Sequence, residues 1–467
     1  MLAMSITVFF ASCSDDDDKP APDPDPHSPS NILKVNSEIV KTTYDGYLWN
    51  DKLPSMTSFK LENESDPITF FEKKLRYDAL DKWSYVTDEA KSMFDEYKGI
   101  STTYGYGLSF GRVIDTNNYF AIVDYVYSNS PAQKAGIERG DILLMMDGKY
   151  INADNAMDLY NSSSITLELA EVVDRSLRLT GEKVSMQAIE MDIDAVNAYR
   201  VIEKGNKKIG YICYTDFTVN SETKLTQVFS EFKSKGATDI ILDLRCNRGG
   251  AVITSQHLAG ILVPEAMVES KDNYFLAERW NENYDDTYLS FKNAGVNMGL
   301  QQGAKLYVLT SPNTASASEA VIVGLKPYLD VVTIGDITHG KYCGAALLQF
   351  GVDSKGKVTD EALTNWAISL IVFKFVNKDG LTDFKDGLAP TYKVEEDWTN
   401  LLPFGHEDDP LVAKALELIT GKSVVDKRSV TRTLSPTYQL LENQEMISPL
   451  KGGMNKIVKG MFDYPSN

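Results

Sequence analysis

Two residues in the stretch 304–343, AKLYVLTSPNTASASEAVIVGLKPYLDVVTIGDITHGKYC, could carry covalent chemistry. They are Ser316 and Lys341. A serine hydroxyl becomes a nucleophile when a base takes its proton, and a neutral lysine amine can be that base. For the amine to be neutral near pH 7, its pKa must fall from about 10.4 toward 7, through desolvation or nearby positive charge. The same serine also fits a purely structural role. Ser316-Ala317-Ser318-Glu319 is a capping box, S-x-x-E, in which Glu319 bonds back to the first turn of a helix.

The surrounding pattern decides whether these residues can meet. Residues 305–310 are apolar and rich in β-branched types, which predicts a buried strand. Residues 311–314 (Ser-Pro-Asn-Thr) are turn chemistry. A helix is expected over 315–329, a second strand over 331–334, and a loop over 338–341. Such a β-α-β unit makes two parallel strands with a right-handed crossover. Both loops leaving the strands then open on one edge of the sheet, where α/β proteins place their chemistry. Ser316 and Lys341, 25 residues apart, would share that edge.

A second unit lies upstream. Residues 199–204 and 208–217 flank the turn 205–207 as a hairpin. Residues 221–235 form an amphipathic helix, with Leu225, Val228, Phe229 and Phe232 on one face. Residues 239–245 (DIILDLR) read as a buried strand, followed by Cys246-Asn247-Arg248-Gly249-Gly250 and a helix over 252–262. A glycine pair at such a turn leaves backbone N–H groups open to an approaching anion, which suits an oxyanion hole. A tight turn requiring positive φ accounts for the same pair.

The totals bound the function. The 467 residues allow two to four domains and an ample core. With 66 acidic against 47 basic residues the net charge is −19, which argues against a nucleic-acid partner. The four histidines (His27, His257, His339, His406) form no H-E-x-x-H, and there is no C-x-x-C or P-loop, so neither a metal nor a nucleotide cofactor is expected. Cys213, Cys246 and Cys343 read as buried free thiols, with a Cys246–Cys343 bridge as the alternative.

Six regions follow from the pattern along the chain. Residues 1–13 are apolar and end in small residues before Cys13, as at the end of a secretory signal. They resemble a lipobox, which implies lipidation at Cys13 and an exported lipoprotein of the outer membrane, facing the periplasm or the cell surface. Residues 14–30 are an acidic and then proline-rich tether. Residues 31–100 are mainly helical, with Asp81-Lys82-Trp83-Ser84 between helices. Residues 101–195 turn to strand-like alternation. Residues 196–420 hold the two units above, an irregular aromatic insertion over 271–300, strands near 345–350 and 368–375, and a helix opened by Asp409-Pro410. Residues 421–467 are a polar tail.

Within 101–195, the run Ser130-Pro131-Ala132-Gln133-Lys134-Ala135-Gly136-Ile137, followed by Gly140-Asp141-Ile142-Leu143-Leu144 and Gly148, resembles a PDZ domain. The resemblance implies that Gly107, Leu108, Ser109 and Phe110 form the loop whose N–H groups hold a peptide's C-terminal carboxylate, the peptide adding as a strand to the sheet edge. The order of motifs extends the likeness. Asp81-Lys82-Trp83-Ser84, the PDZ-like region, Asp243-Leu244-Arg245-x-Asn247-x-Gly249-Gly250, Ser316-Ala317-Ser318-Glu319 and Thr338-x-Gly340-Lys341 together resemble the C-terminal processing peptidases, or tail-specific proteases.

That resemblance, over roughly residues 35–420, implies a multidomain α/β protein. It has a helical N-terminal segment, a PDZ-like β domain and a mixed α/β, crotonase-like peptidase core. It implies Ser316 as nucleophile, Lys341 as general base and Glu319 as third member. The oxyanion hole would use N–H groups of Ala317 and of Gly249 or Gly250. Substrates would be proteins or peptides with recognised C-terminal tails. One departure stands out: the position four residues after the lysine, a glutamine in many members, is Ala345 here, and the nearest glutamine is Gln349. Two other readings compete. One is a non-proteolytic protein on the same scaffold that binds peptides or apolar ligands. The other is a histidine-based hydrolase using His339, against which stands the lack of G-x-S-x-G.

Overall fold

The computed structural model of the protein describes residues 25–422 and 438–441. The expected signal, the lipidation site Cys13 and most of the tether and tail lie outside the described residues.

The helix Pro29–Gly46 begins where Ser28 caps it and Pro29 fills its first position, where a missing N–H costs nothing. It buries Ile32, Val35, Ile39 and Val40 at helical spacing. Short turns, the helix Pro67–Phe70 continuing as a wider turn over Phe71–Leu75, and the helix Ala90–Lys98 follow, so the N-terminal segment is mainly helical, with a loop after Leu75. The loop ends in a short strand, Tyr85–Thr87, which pairs antiparallel with Ala367–Val376 and pins residues 81–84 to the core.

The core holds two sheets. In the first, Val196–Lys204 pairs antiparallel with Lys207–Tyr214, and then Asp239–Asp243, Lys305–Thr310, Asp330–Gly335 and Tyr392–Lys393 add in parallel. Alternate residues face opposite ways. Ile212, Leu242, Leu306 and Val308 join the helices Ser221–Ser234, Val252–Leu262 and Ala317–Leu325 in the main core. Tyr211, Ile241, Tyr307 and Leu309 meet Leu411, Val412, Ala415 and Leu416 of the helix Pro410–Thr420. Because the central strands are parallel, Asp243, Thr310 and Gly335 all end at one edge.

The second sheet corrects one expectation. Residues 271–300 are not an irregular insertion: Leu276–Trp280 and Thr287–Leu289 form a hairpin that joins Ala367–Val376, itself paired with Cys343–Gln349. Leu276, Ala277 and Glu278 are buried in succession, so no period of two marked the strand. The helix expected over 315–329 is shorter, Ala317–Leu325. Lys326 keeps helical dihedrals, but Pro327 has no N–H to continue the ladder, and the helix ends before it.

Residues 101–195 supply six strands of a separate seven-stranded sheet with its own core, including Leu108, Phe110, Leu143 and Leu167. Gly107 to Phe110 lie inside the strand Tyr106–Val113 rather than in a free loop. Ile100–Thr103 paired with Ile189–Asp192 closes this domain at its neck. The polar tail also contributes one strand, Tyr438–Leu440, to this sheet.

Candidate active site

Three loops leave the common edge, after Asp239–Asp243, Lys305–Thr310 and Asp330–Gly335, and they carry Gly249, Ser316 and Lys341 respectively. Ser316 is fully buried and caps the helix Ala317–Leu325 with φ 62° and ψ −113°. A side-chain residue held there costs on the order of 1–3 kcal/mol, and such strain persists only where the surroundings enforce it. The enforcement is visible. Glu319 Oε2 accepts from the N–H of Ser316 at 2.8 Å, and Ala315 N–H donates to the carbonyl of Asn247 at 3.1 Å. The hydroxyl itself is left over: Ser316 Oγ is buried and has no hydrogen-bond partner among the described residues. The expected capping box is in place, with Glu319 bonding back to Ser316 N–H and the Ser316 hydroxyl lying on the side of the Glu319 N–H, yet that hydroxyl makes no hydrogen bond of normal geometry and stays available.

Glu319 ties the serine to the lysine loop. Its Oε1 accepts from the Thr338 hydroxyl at 2.5 Å and from Gly340 N–H at 2.7 Å. Its Oε2 accepts from Lys341 N–H at 2.9 Å as well as from Ser316. One carboxylate therefore fixes the main chain on both sides of the site. Burial pushes its pKa up to about 7, against the opposing pull of these four donors.

Lys341 is 2% exposed, and desolvation of its ammonium lowers its pKa to about 8. The negative charges of Asp81 and Glu319 oppose the fall. The ammonium lies 5.8 Å from the centre of the Trp83 ring. Asp81 is 1% exposed and accepts from Tyr47 Oη at 2.7 Å and from the N–H groups of Trp83 and Ser84 at 2.9 Å. The motif Asp81-Lys82-Trp83-Ser84 thus forms one wall of the lysine site. The sequence displayed it, but nothing in its local pattern linked it to a residue some 260 positions away.

The glycine pair divides. Gly249 has φ 107°, and a Cβ on it would lie 2.7 Å from Ser316 Cβ, so only glycine lets this loop approach the serine. Its N–H is engaged, donating to Asn247 Oδ1 at 2.9 Å. This corrects its place in the expected oxyanion hole. Gly250 forms a parallel bridge with Phe217, whose bonds run from Phe217 N–H to the Gly249 carbonyl and from Ala251 N–H to the Phe217 carbonyl. That pattern turns Gly250 N–H away from Phe217. The N–H groups of Gly250 and Ala317 are thus the two candidate donors beside the serine.

The other predicted residues fall as follows. His339 packs edge-on to Trp83 at 6.3 Å. Burial and the nearby cations of Lys341, Arg248 and Lys82 push its pKa down to about 4, so it is neutral near pH 7. Gln349 sits at the far end of Cys343–Gln349 and donates to the Thr364 carbonyl at 2.6 Å. It does not replace the missing glutamine, and Ala345 is buried in the same strand. Cys213, Cys246 and Cys343 are free and buried. In the PDZ region, Leu108 N–H donates to Tyr160 Oη at 3.1 Å and the Ser109 hydroxyl to Asp124 Oδ2 at 2.7 Å.

Residues 208–394 match the model of peptidase family S41, and residues 122–168 match that of a PDZ domain. The chain carries a family S41 peptidase domain and a PDZ domain. It is 26% identical over 280 residues to a chloroplastic C-terminal processing peptidase of Tetradesmus obliquus, covering 57% of this chain and 54% of that protein. It is 24% identical over 311 residues to a carboxyl-terminal-processing protease of Synechocystis sp., covering 65% of each. The carboxy-terminal processing protease CtpA of Bacillus subtilis is 27% identical over 324 residues, covering 67% of this chain and 60% of that one. The chain thus spans between 54% and 65% of these relatives' own lengths. A solved structure described as an S41 protease from Bacteroides fragilis superposes with a TM-score of 0.66 at 25% identity, over 83% of this chain and 97% of that one.

Proposed function

We propose that this S41 protein is a serine endopeptidase in which Ser316 and Lys341 form the catalytic pair. The observation that carries the reading is the unused, buried Ser316 hydroxyl, held on a strained backbone by the same carboxylate that anchors a desolvated lysine. Neutral Lys341 takes the proton of Ser316 Oγ as the oxygen attacks a scissile carbonyl carbon. The oxyanion that forms accepts from the N–H groups of Ala317 and Gly250, at the positive end of the helix Ala317–Leu325. The protonated amine then gives its proton to the departing amine nitrogen, leaving an ester on Ser316. Water, deprotonated by the same lysine, hydrolyses that ester. Glu319 is a positioning residue for both partners. The PDZ domain supplies recognition of substrate C-termini, and the substrates are proteins or peptides with accessible tails. Export and anchoring through lipid on Cys13 complete the reading, supported by the small residues before that cysteine and the tether after it.

The test is labelling of the purified protein with a fluorophosphonate probe, with casein digestion in parallel. Labelling and digestion are expected in the wild type and absent in Ser316→Ala and Lys341→Ala. A folded wild type that neither labels nor cleaves, with or without C-terminal peptides, would reject the peptidase and favour the binding protein. Anchoring is read separately, by fatty-acid incorporation that disappears in Cys13→Ala.

A further inference from the structure

The strand Tyr106–Val113 pairs with Tyr119–Val126 on one side. Its other edge, where a PDZ ligand adds, is not empty. Tyr438–Leu440 lies along it antiparallel, with Tyr438 opposite Val113, Gln439 opposite Arg112 and Leu440 opposite Gly111. Leu441 N–H then donates to the Phe110 carbonyl at 3.0 Å. The segment therefore runs toward Gly107 as it approaches its own C-terminal end. That is the direction of a peptide delivering its carboxylate to this loop.

The side chains agree. Leu441 packs against the PDZ core, together with Tyr160 and Met157. The Tyr438 ring stacks edge-on against Trp398 at 4.9 Å and Phe120 at 6.2 Å. Gln439 and Leu440 are exposed. The inner end of the groove is closed as well, since Leu108 N–H already donates to Tyr160 Oη.

We infer that residues 438–441 are an internal ligand of the PDZ domain, holding its peptide edge against substrate tails. The inference rests on the proposed tail recognition. A segment tethered to its own groove is present at a high effective concentration, so a free peptide binds only to the fraction in which the segment has left.

The experiment uses the full chain with Ser316→Ala, so that no cleavage is needed for the readout. The probe is a fluorescein-labelled peptide of residues 435–441, Ser-Pro-Thr-Tyr-Gln-Leu-Leu, with a free carboxylate, and the same peptide amidated. Leu441→Pro removes the N–H donor, Leu441→Asp removes the apolar contact, and Leu440→Asp alters an exposed position. Both Leu441 variants should bind the free-acid peptide about tenfold or more tighter than the parent, with Leu440→Asp like the parent and the amide weaker throughout. Carboxylate-dependent binding of equal affinity in parent and Leu441 variants would overturn the internal ligand while leaving tail recognition standing. Binding to none of the proteins would overturn both, whatever the fluorophosphonate result for catalysis.

Discussion

As the proposed general base, Lys341 sets the expected pH dependence. With its pKa near 8, the amine is mostly protonated at pH 7 and gains its free pair as pH rises. Because the base must be neutral, kcat/KM should climb through an apparent pKa of about 8 and level off above it, in a profile measured on a fluorogenic peptide. The carboxylate of Glu319 opposes the lysine's fall, so removing that charge lets the pKa drop further. Glu319→Gln should therefore move the rising limb to lower pH. It should also cut kcat by about 10- to 100-fold, because an amide N–H₂ would face N–H or hydroxyl donors in place of one acceptor oxygen, at a cost of about 1–3 kcal/mol. A purely structural role for Glu319 predicts lost activity with an unmoved limb. Asp81→Asn should shift the limb the same way, since its charge also favours the ammonium.

At the scale of elements, the site depends on how closely one loop approaches another. Gly249→Ala would place a Cβ 2.7 Å from Ser316 Cβ at a φ that side chains avoid. The expected outcome is loss of fluorophosphonate labelling, with a stability cost of about 1–3 kcal/mol measured by denaturant unfolding. Labelling at the wild-type rate would show that the serine does not need this contact. These elements were largely legible beforehand. The strand at Lys305–Thr310, the helix after Ser316 and the parallel strand Asp330–Gly335 follow from period and turn residues, and the shared edge follows from parallel pairing. The wall made by Asp81 and Trp83 was not legible, because it depends on Tyr85–Thr87 docking onto Ala367–Val376. The Leu276–Trp280 strand was hidden by burial on both faces, and the loss of Gly249's N–H to Asn247 by a side-chain rotamer no pattern encodes.

At the scale of the whole molecule, the PDZ domain and the sheet edge that carries Ser316 and Lys341 share a chain of charges. Arg139 of the PDZ domain pairs with Glu396 and lies 4.1 Å over the Phe404 ring. The same carboxylate oxygen accepts from Arg245 Nη1 at 2.7 Å. Arg245 is 1% exposed, is held by Asp243 and Asp409, and its carbonyl accepts from the hydroxyl of Ser311, in the loop that leads to Ser316. A second bridge is thinner: Asn313 Nδ2 reaches Ser109 Oγ at 3.5 Å. Two substitutions separate the stabilising part of this network from its connecting part. Arg245→Ala leaves Asp243 and Asp409 buried without their cation, which should cost about 3–5 kcal/mol and lower the melting temperature strongly. Glu396→Gln keeps Arg245 paired with those two carboxylates, so the fold should lose far less. What it removes is the charge common to both arginines. If the PDZ domain acts on the catalytic edge through Glu396, a C-terminal peptide should still bind the Glu396→Gln protein with near wild-type affinity yet change its casein-cleavage rate much less than it changes the wild type's. An unaltered peptide response, with binding intact, would place the connection elsewhere, with the Asn313–Ser109 contact as the next pair to break.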